Sequence, residues 1–133
     1  MTKAQLRAYR DIKRERDRLD AMIANMESIL YGPRSPQLSG MPRGGSGPSA
    51  PTEDAAVQHA DLLNRYEQKV AELTRALAEI ETAIECLDPR ERTLIRLYYI
   101  EGLTWEEVCV SMHYEWAQIH RIHALALRKL KDA

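Results

Sequence analysis

Phenylalanine is absent from this 133-residue chain, cysteine occurs twice, and aromatic residues together make up only 6%. So few large apolar side chains, beside 29% charged residues, argue against one thick globular core. Glycine and proline are also scarce outside one stretch: five of the six Gly and five of the six Pro lie between Gly32 and Pro51. Elsewhere almost nothing breaks a helix, and no period-two alternation bounded by turn residues marks a strand. The expected fold class is therefore all-α. Charge begins at Lys3, and no apolar run reaches signal or membrane-spanning length, so no membrane contact is expected. Cys86 and Cys109 sit at helical, mostly apolar positions, which suits a reducing compartment and a cytoplasmic protein.

Net charge is −1, which excludes a global attraction for nucleic acid. The local balance differs. Residues 2–31 carry seven basic and five acidic groups, residues 52–87 three and eight. The final stretch sets Arg121, Arg128, Lys129 and Lys131 against Asp132 alone. Basic character belongs to the two ends, and the middle is acidic.

Thr2 and Gln5 form a capping box that opens a helix reaching to about Tyr31. Tyr9, Ile12, Leu19, Ile23, Met26 and Leu30 keep heptad spacing, with Arg16 in one seam position. Gly32 and Pro33 stop that helix. The stretch at 32–52 reads as a flexible Gly/Pro-rich loop, although Arg34, Leu38, Met41 and Arg43 also allow it a docking role. Thr52 is the expected cap of a second long helix. In it Leu63, Tyr66, Val70, Leu73, Leu77, Ile80, Ile84 and Leu87 alternate steps of three and four, and Ala56 and His59 extend the seam backward. Such a seam needs a partner. Matched lengths and opposite charge favour an antiparallel coiled-coil hairpin over residues 2–87; a second chain paired through the same heptads, a homodimer, remains open.

From residue 88 to 133 the pattern changes to three shorter helices. Asp88-Pro89-Arg90-Glu91 and Thr104-Trp105-Glu106-Glu107 are helix starts with a cap three residues before a Glu, and Gly102 between them suits a left-handed helix end. Leu94, Leu97, Tyr98, Leu103, Val108, Cys109, Met112, Ile119, Ile122, Ala126 and Leu130 would form a small core. This is the outline of a helix-turn-helix DNA reader. Its last helix would present Ala117, Gln118, His120, Arg121 and Arg128 outward, with Trp116 at its start. Gln118 suits adenine, Arg121 guanine or phosphate, and Thr104 with the first-turn amides a backbone phosphate. The expected partner is double-stranded DNA.

LDPRERTLIRLYYIEGLTWEEV followed by ALALRKL resembles the promoter-reading carboxy-terminal region of bacterial sigma factors. With SPQLSGMPRGG and QIHRIH added, the chain is similar to small bacteriophage-encoded sigma-like proteins related to late transcriptional regulators of the RinA and ArpU type. The resemblance runs from Ser35 to Leu130, and it implies a phage or prophage transcription regulator that acts on DNA, with RNA polymerase as a further partner. Gln118, Arg121, His123, Ala126, Leu127 and Leu130 match the pattern. His113 replaces a turn Gly, Glu115 a Ser, and Leu125 a common Arg. A carboxylate near phosphates opposes binding, and each lost arginine flattens the salt dependence.

Two other readings use the same parts: a DNA-packaging recognition protein of small-terminase type, and a protein-interaction module that has lost autonomous DNA binding. Cys109, His113, His120 and His123 invite a zinc reading, but with His123 inward and His120 outward four ligands do not converge, so neither metal nor other cofactor is expected. No nucleophile–base pair or phosphate-cradling loop stands out, GGSG at 44–47 lacking the following Lys, and no enzyme is expected.

Overall fold

A computed structural model describes residues 1–32 and 50–132, and every regular element among them is helical. Helix α1 spans Lys3–Tyr31. It opens on the expected box: the Thr2 amide donates to Gln5 Oε1 at 2.8 Å, and the Gln5 amide to Thr2 Oγ1 at 3.4 Å. Helix α2 spans Ala50–Ala83, beginning two residues before Thr52, and tightens into a 3-10 turn at Ile84–Cys86. Helix α3 (Pro89–Ile95), α4 (Trp105–Met112) and α5 (Trp116–Asp132) follow. The readings placed on Arg34, Leu38, Met41 and Arg43 fall outside the described residues.

The described chain forms two compact units, Met1–Arg14 with Ala71–Ala133, and Glu15–Val70. Sequence pattern alone puts a boundary at 87/88; the contacts instead join the first turns of α1 and the last turns of α2 to the carboxy-terminal helices.

In the Glu15–Val70 unit, α1 and α2 run antiparallel, as the matched seams predict. Lys69 Nζ reaches Glu15 at 2.8 Å and His59 Nε2 reaches Glu27 at 3.0 Å, so higher numbers on one helix meet lower numbers on the other. Ile23 and Leu62 are buried here. Leu63, expected in the seam, is exposed, and so is Ala56. A helix of about 3.6 residues per turn does not hold a strict 3.5 repeat: counting back from Leu73, Leu62 returns to the same face after about three turns, whereas Leu63 falls to its side.

The larger unit contains the main core, built from Leu6, Tyr9, Leu73, Ile80, Ile84, Leu87, Leu94, Ile95, Tyr99, Val108, Ile119, Ile122, Ala126 and Leu130. Asp88 and Glu91 start α3 as a capping box with Pro89 just inside it. Beyond Ile95 the helix widens into a π-helical turn, Arg96–Ile100, closed by the Glu101 amide on the Arg96 carbonyl at 2.8 Å. That widening changes which side chain faces inward. From Leu94 an α-helix would return to Tyr98; the π turn delivers Tyr99 instead, which is fully buried, and leaves Tyr98 only partly covered. Gly102 then adopts φ +76, ending the helix as its position predicts.

A π turn leaves backbone carbonyls without their usual partners, and two further contacts, one local and one from α1, attend to this one. The Leu103 amide donates to the Leu97 carbonyl at 3.1 Å. Lys13 Nζ, from α1, donates to the Ile100 carbonyl at 2.6 Å. Three residues earlier on α1, the Arg10 guanidinium lies 4.3 Å from the Tyr98 ring centroid, a cation–π contact.

Candidate nucleic-acid interface

The turn between α4 and α5 sets the geometry of the site. Thr104 caps α4: its Oγ1 accepts from the Glu107 amide at 3.2 Å, and its own amide donates to Glu107 Oε1 at 3.3 Å. Its hydroxyl also donates to Glu107 Oε1, at 3.0 Å. Both Thr104 groups are thus held by the helix they start, and Glu106 and Glu107 add negative charge where a phosphate was expected. At the other end of α4, His113 takes φ +59 and ψ +38, the left-handed conformation that a glycine would adopt without steric cost. The Tyr114 amide then donates to the Cys109 carbonyl at 3.1 Å, closing the helix end. Helix α5 starts at Trp116, with the Ile119 amide on the Glu115 carbonyl at 3.0 Å.

The 3.6-residue repeat divides α5 cleanly. Ile119, Ile122, His123, Ala126 and Leu130 are buried. Ala117, Gln118, Arg121 and Arg128 are exposed, and Leu125 and Trp116 are exposed by 45% and 51%. Arg121 and Arg128 form no ion pair with any described residue. The face presents an amide, two guanidiniums and an apolar step, groups that can contact base edges, phosphates and a thymine methyl.

His120 stands elsewhere than its expected outward position. Its ring is half-buried between Trp105, at 4.8 Å between centroids, and Trp116, at 4.5 Å. Its Nε2 is buried with no partner among the described residues. Trp105 in turn stacks on Tyr98 at 3.8 Å and 14°. Arg10, Tyr98, Trp105, His120 and Trp116 therefore follow one another from α1 to the start of α5, each touching the next. Trp116 is held by this ring series at one edge and open at the other. His123 faces inward as expected. Its Nε2 lies 2.8 Å from the Tyr99 hydroxyl. Burial, with Lys3, His120 and Arg7 nearby, lowers its pKa to about 4, and burial raises that of Tyr99 to about 12.

Lys129 belongs to the fold. Its Nζ reaches Glu91 Oε1 at 2.8 Å and Asp88 Oδ2 at 3.5 Å, joining α5 to the start of α3. Glu91 is 3% exposed, so this ammonium offsets a buried carboxylate. A count of basic residues along α5 cannot separate Lys129 from its neighbour Arg128; the pairing with Glu91 can. Also unread from sequence is the share of α1 in this unit. Leu6 is fully buried, and the Met1 amino group donates to the Leu130 carbonyl at 3.1 Å. The available signal was Leu6 itself, an apolar residue one step ahead of the Tyr9–Ile12 seam.

Residues 83–132 match the family model of sigma-70, region 4. The carboxy-terminal region is sigma-factor-like. That match covers α3, α4 and α5, and the region 4 family acts in transcription through DNA and RNA polymerase. No curated protein sequence and no solved structure matches the chain significantly. Among the described residues no helix is long and apolar enough to cross a membrane, and no group of three or more His, Cys, Asp or Glu could hold a metal ion.

Proposed function

We propose that this chain is a sequence-specific DNA-binding transcription regulator of phage or prophage genes, acting beside RNA polymerase as a sigma-like promoter reader. The observation that carries the reading is the outer face of α5. Gln118, Arg121 and Arg128 stand exposed there, with both arginines unpaired among the described residues, on the helix that follows the turn in a region-4-like unit. The amino-terminal half of that helix enters the major groove, where Arg121 meets guanine or phosphate and Gln118 adenine. Trp116, fixed at one edge by His120, lies where α5 meets the groove wall. Thr104 holds α4 in place and contributes through its helix rather than through a free hydroxyl.

Genome-wide mapping of DNA bound by the tagged chain, followed by binding to the recovered fragments over a range of salt, tests this. Affinity should fall linearly on logarithmic axes as salt rises, and Arg121→Ala should cost about 1–3 kcal/mol if the contact is a bidentate one to guanine. Absence of salt-sensitive binding, both for the free chain and for its mixture with polymerase, overturns the reading.

A further inference from the structure

We propose that Lys3 and Arg7, on the first two turns of α1, form a second phosphate-binding rim beside α5, so that the amino terminus of the chain grips the backbone of the duplex whose bases α5 reads. This inference rests on the DNA-binding reading above and extends it to residues outside the stretch matched by the family model.

The placement of the first turns of α1 is fixed by contacts that run from Met1 to Lys13. Met1 donates to the Leu130 carbonyl near the end of α5, Leu6 is fully buried in the shared core, Arg10 lies on Tyr98, and Lys13 holds the Ile100 carbonyl. These contacts come from the same compact unit, so α1 is docked on the reader. Lys3 and Arg7 lie four apart, one turn of the helix, and both are exposed. They flank Leu6, which is buried in one core with Ile119, Ile122, Ala126 and Leu130 of α5, and Lys3 is two residues from Met1, whose amino group meets the Leu130 carbonyl.

The cations of this unit fall into two groups. Arg10, Lys13, Arg14, Arg92, Arg96 and Lys129 are engaged with an aromatic ring, backbone carbonyls or carboxylates. Lys3, Arg7, Arg75, Arg90, Arg121, Arg128 and Lys131 have no such partner among the described residues and remain open to an external anion. Lys3 and Arg7 come from α1, Arg121, Arg128 and Lys131 from α5, and Arg75 and Arg90 singly from α2 and α3. An extended array of regularly spaced anions, the phosphates of duplex DNA, matches cations carried on two adjacent helices.

The test compares the full-length chain with the double variant Lys3→Gln/Arg7→Gln on a random-sequence linear duplex and on the chain's own selected fragments. Each lost phosphate contact lowers the magnitude of the log–log salt slope by about 0.9, so the double variant should lose about 1.8 on both probes. Its preference for selected over random DNA should be unchanged. The exchange Lys3→Arg/Arg7→Lys, which keeps the charge, should retain the wild-type slope. Thermal melting of each variant checks folding, which these exposed side chains should leave intact. An unchanged slope in the double variant, with wild-type DNA binding present, overturns this inference and spares the reading of α5. Complete absence of DNA binding by the wild-type chain overturns both.

Discussion

The Tyr99 hydroxyl and His123 Nε2 stand 2.8 Å apart inside the carboxy-terminal core, with Tyr99 fully buried and His123 only 7% exposed. A neutral imidazole satisfies this pair; a charged one there would have lost its water without gaining a counter-ion. The two rings also join the π turn to α5, so their protonation bears on the stability of the whole reader.

Stability should consequently fall as the solution is acidified. An unfolded histidine titrates near 6.5, whereas His123 in the folded chain does so at about 4. Above about pH 6.5 both states are neutral at this position and the term is constant. Between about 6.5 and 4 the unfolded state takes up a proton that the folded state refuses, which removes up to about 3 kcal/mol of stability. Urea unfolding at a series of pH values should show this loss, and His123→Gln, whose amide can still meet Tyr99, should flatten it. An equal loss in both proteins would place the acid sensitivity elsewhere.

His113 offers a gain in stability. Its left-handed φ of +59 costs an L residue about 1 kcal/mol, reduced in part because histidine visits this region more readily than most side chains. Glycine avoids that cost but adds freedom to the unfolded chain. The balance should leave His113→Gly about 0.5 kcal/mol more stable, visible as a higher denaturation midpoint with an unchanged slope. A lower midpoint would mean that the His113 side chain makes a favourable contact of its own.

Two neighbouring cations on α5 should respond in opposite ways. Lys129→Met leaves the Glu91 carboxylate buried beside an apolar chain, so the melting temperature should drop while the salt slope of DNA binding stays constant. Arg128→Gln should leave melting unchanged and lower the salt slope by about 0.9. Melting curves and salt titrations of the two variants give four values, and a reversed pattern would exchange the structural and DNA-facing roles assigned here.

Much of this arrangement is legible in the sequence because it is local. Thr2/Gln5, Asp88/Glu91 and Thr104/Glu107 are caps written within four residues, and the inward face of α5 follows from one helical repeat. The exposed Gln118, Arg121 and Arg128 follow from that same repeat. What escapes is non-local or irregular. Nothing in RLYYI announces a π turn, yet it exchanges Tyr98 for Tyr99 in the core. The half-buried position of His120 depends on two tryptophans, one from α4 and one from the start of α5. The partnership of Glu91 with Lys129 spans 38 residues, and that of Lys13 with Ile100 spans 87.

The docking of α1 leads to the sharpest mutational prediction. Leu6 lies 77 positions before the start of the family match at residue 83, yet it is fully buried in the same core as Ile84, Leu94 and Leu130. Truncating a fully buried leucine removes its transfer free energy and leaves a cavity, together about 2–5 kcal/mol. A residue serving only a solvent-facing helix would cost about 0.5 kcal/mol or less. Denaturant unfolding of Leu6→Ala, followed through the two tryptophans, Trp105 and Trp116, reads the loss within the reader itself rather than along α1 alone. A cost in the lower range would show that α1 rests on the carboxy-terminal helices without supporting them. The larger cost makes the amino-terminal turns a structural part of the unit that holds α5, as the Met1–Leu130 and Lys13–Ile100 contacts require.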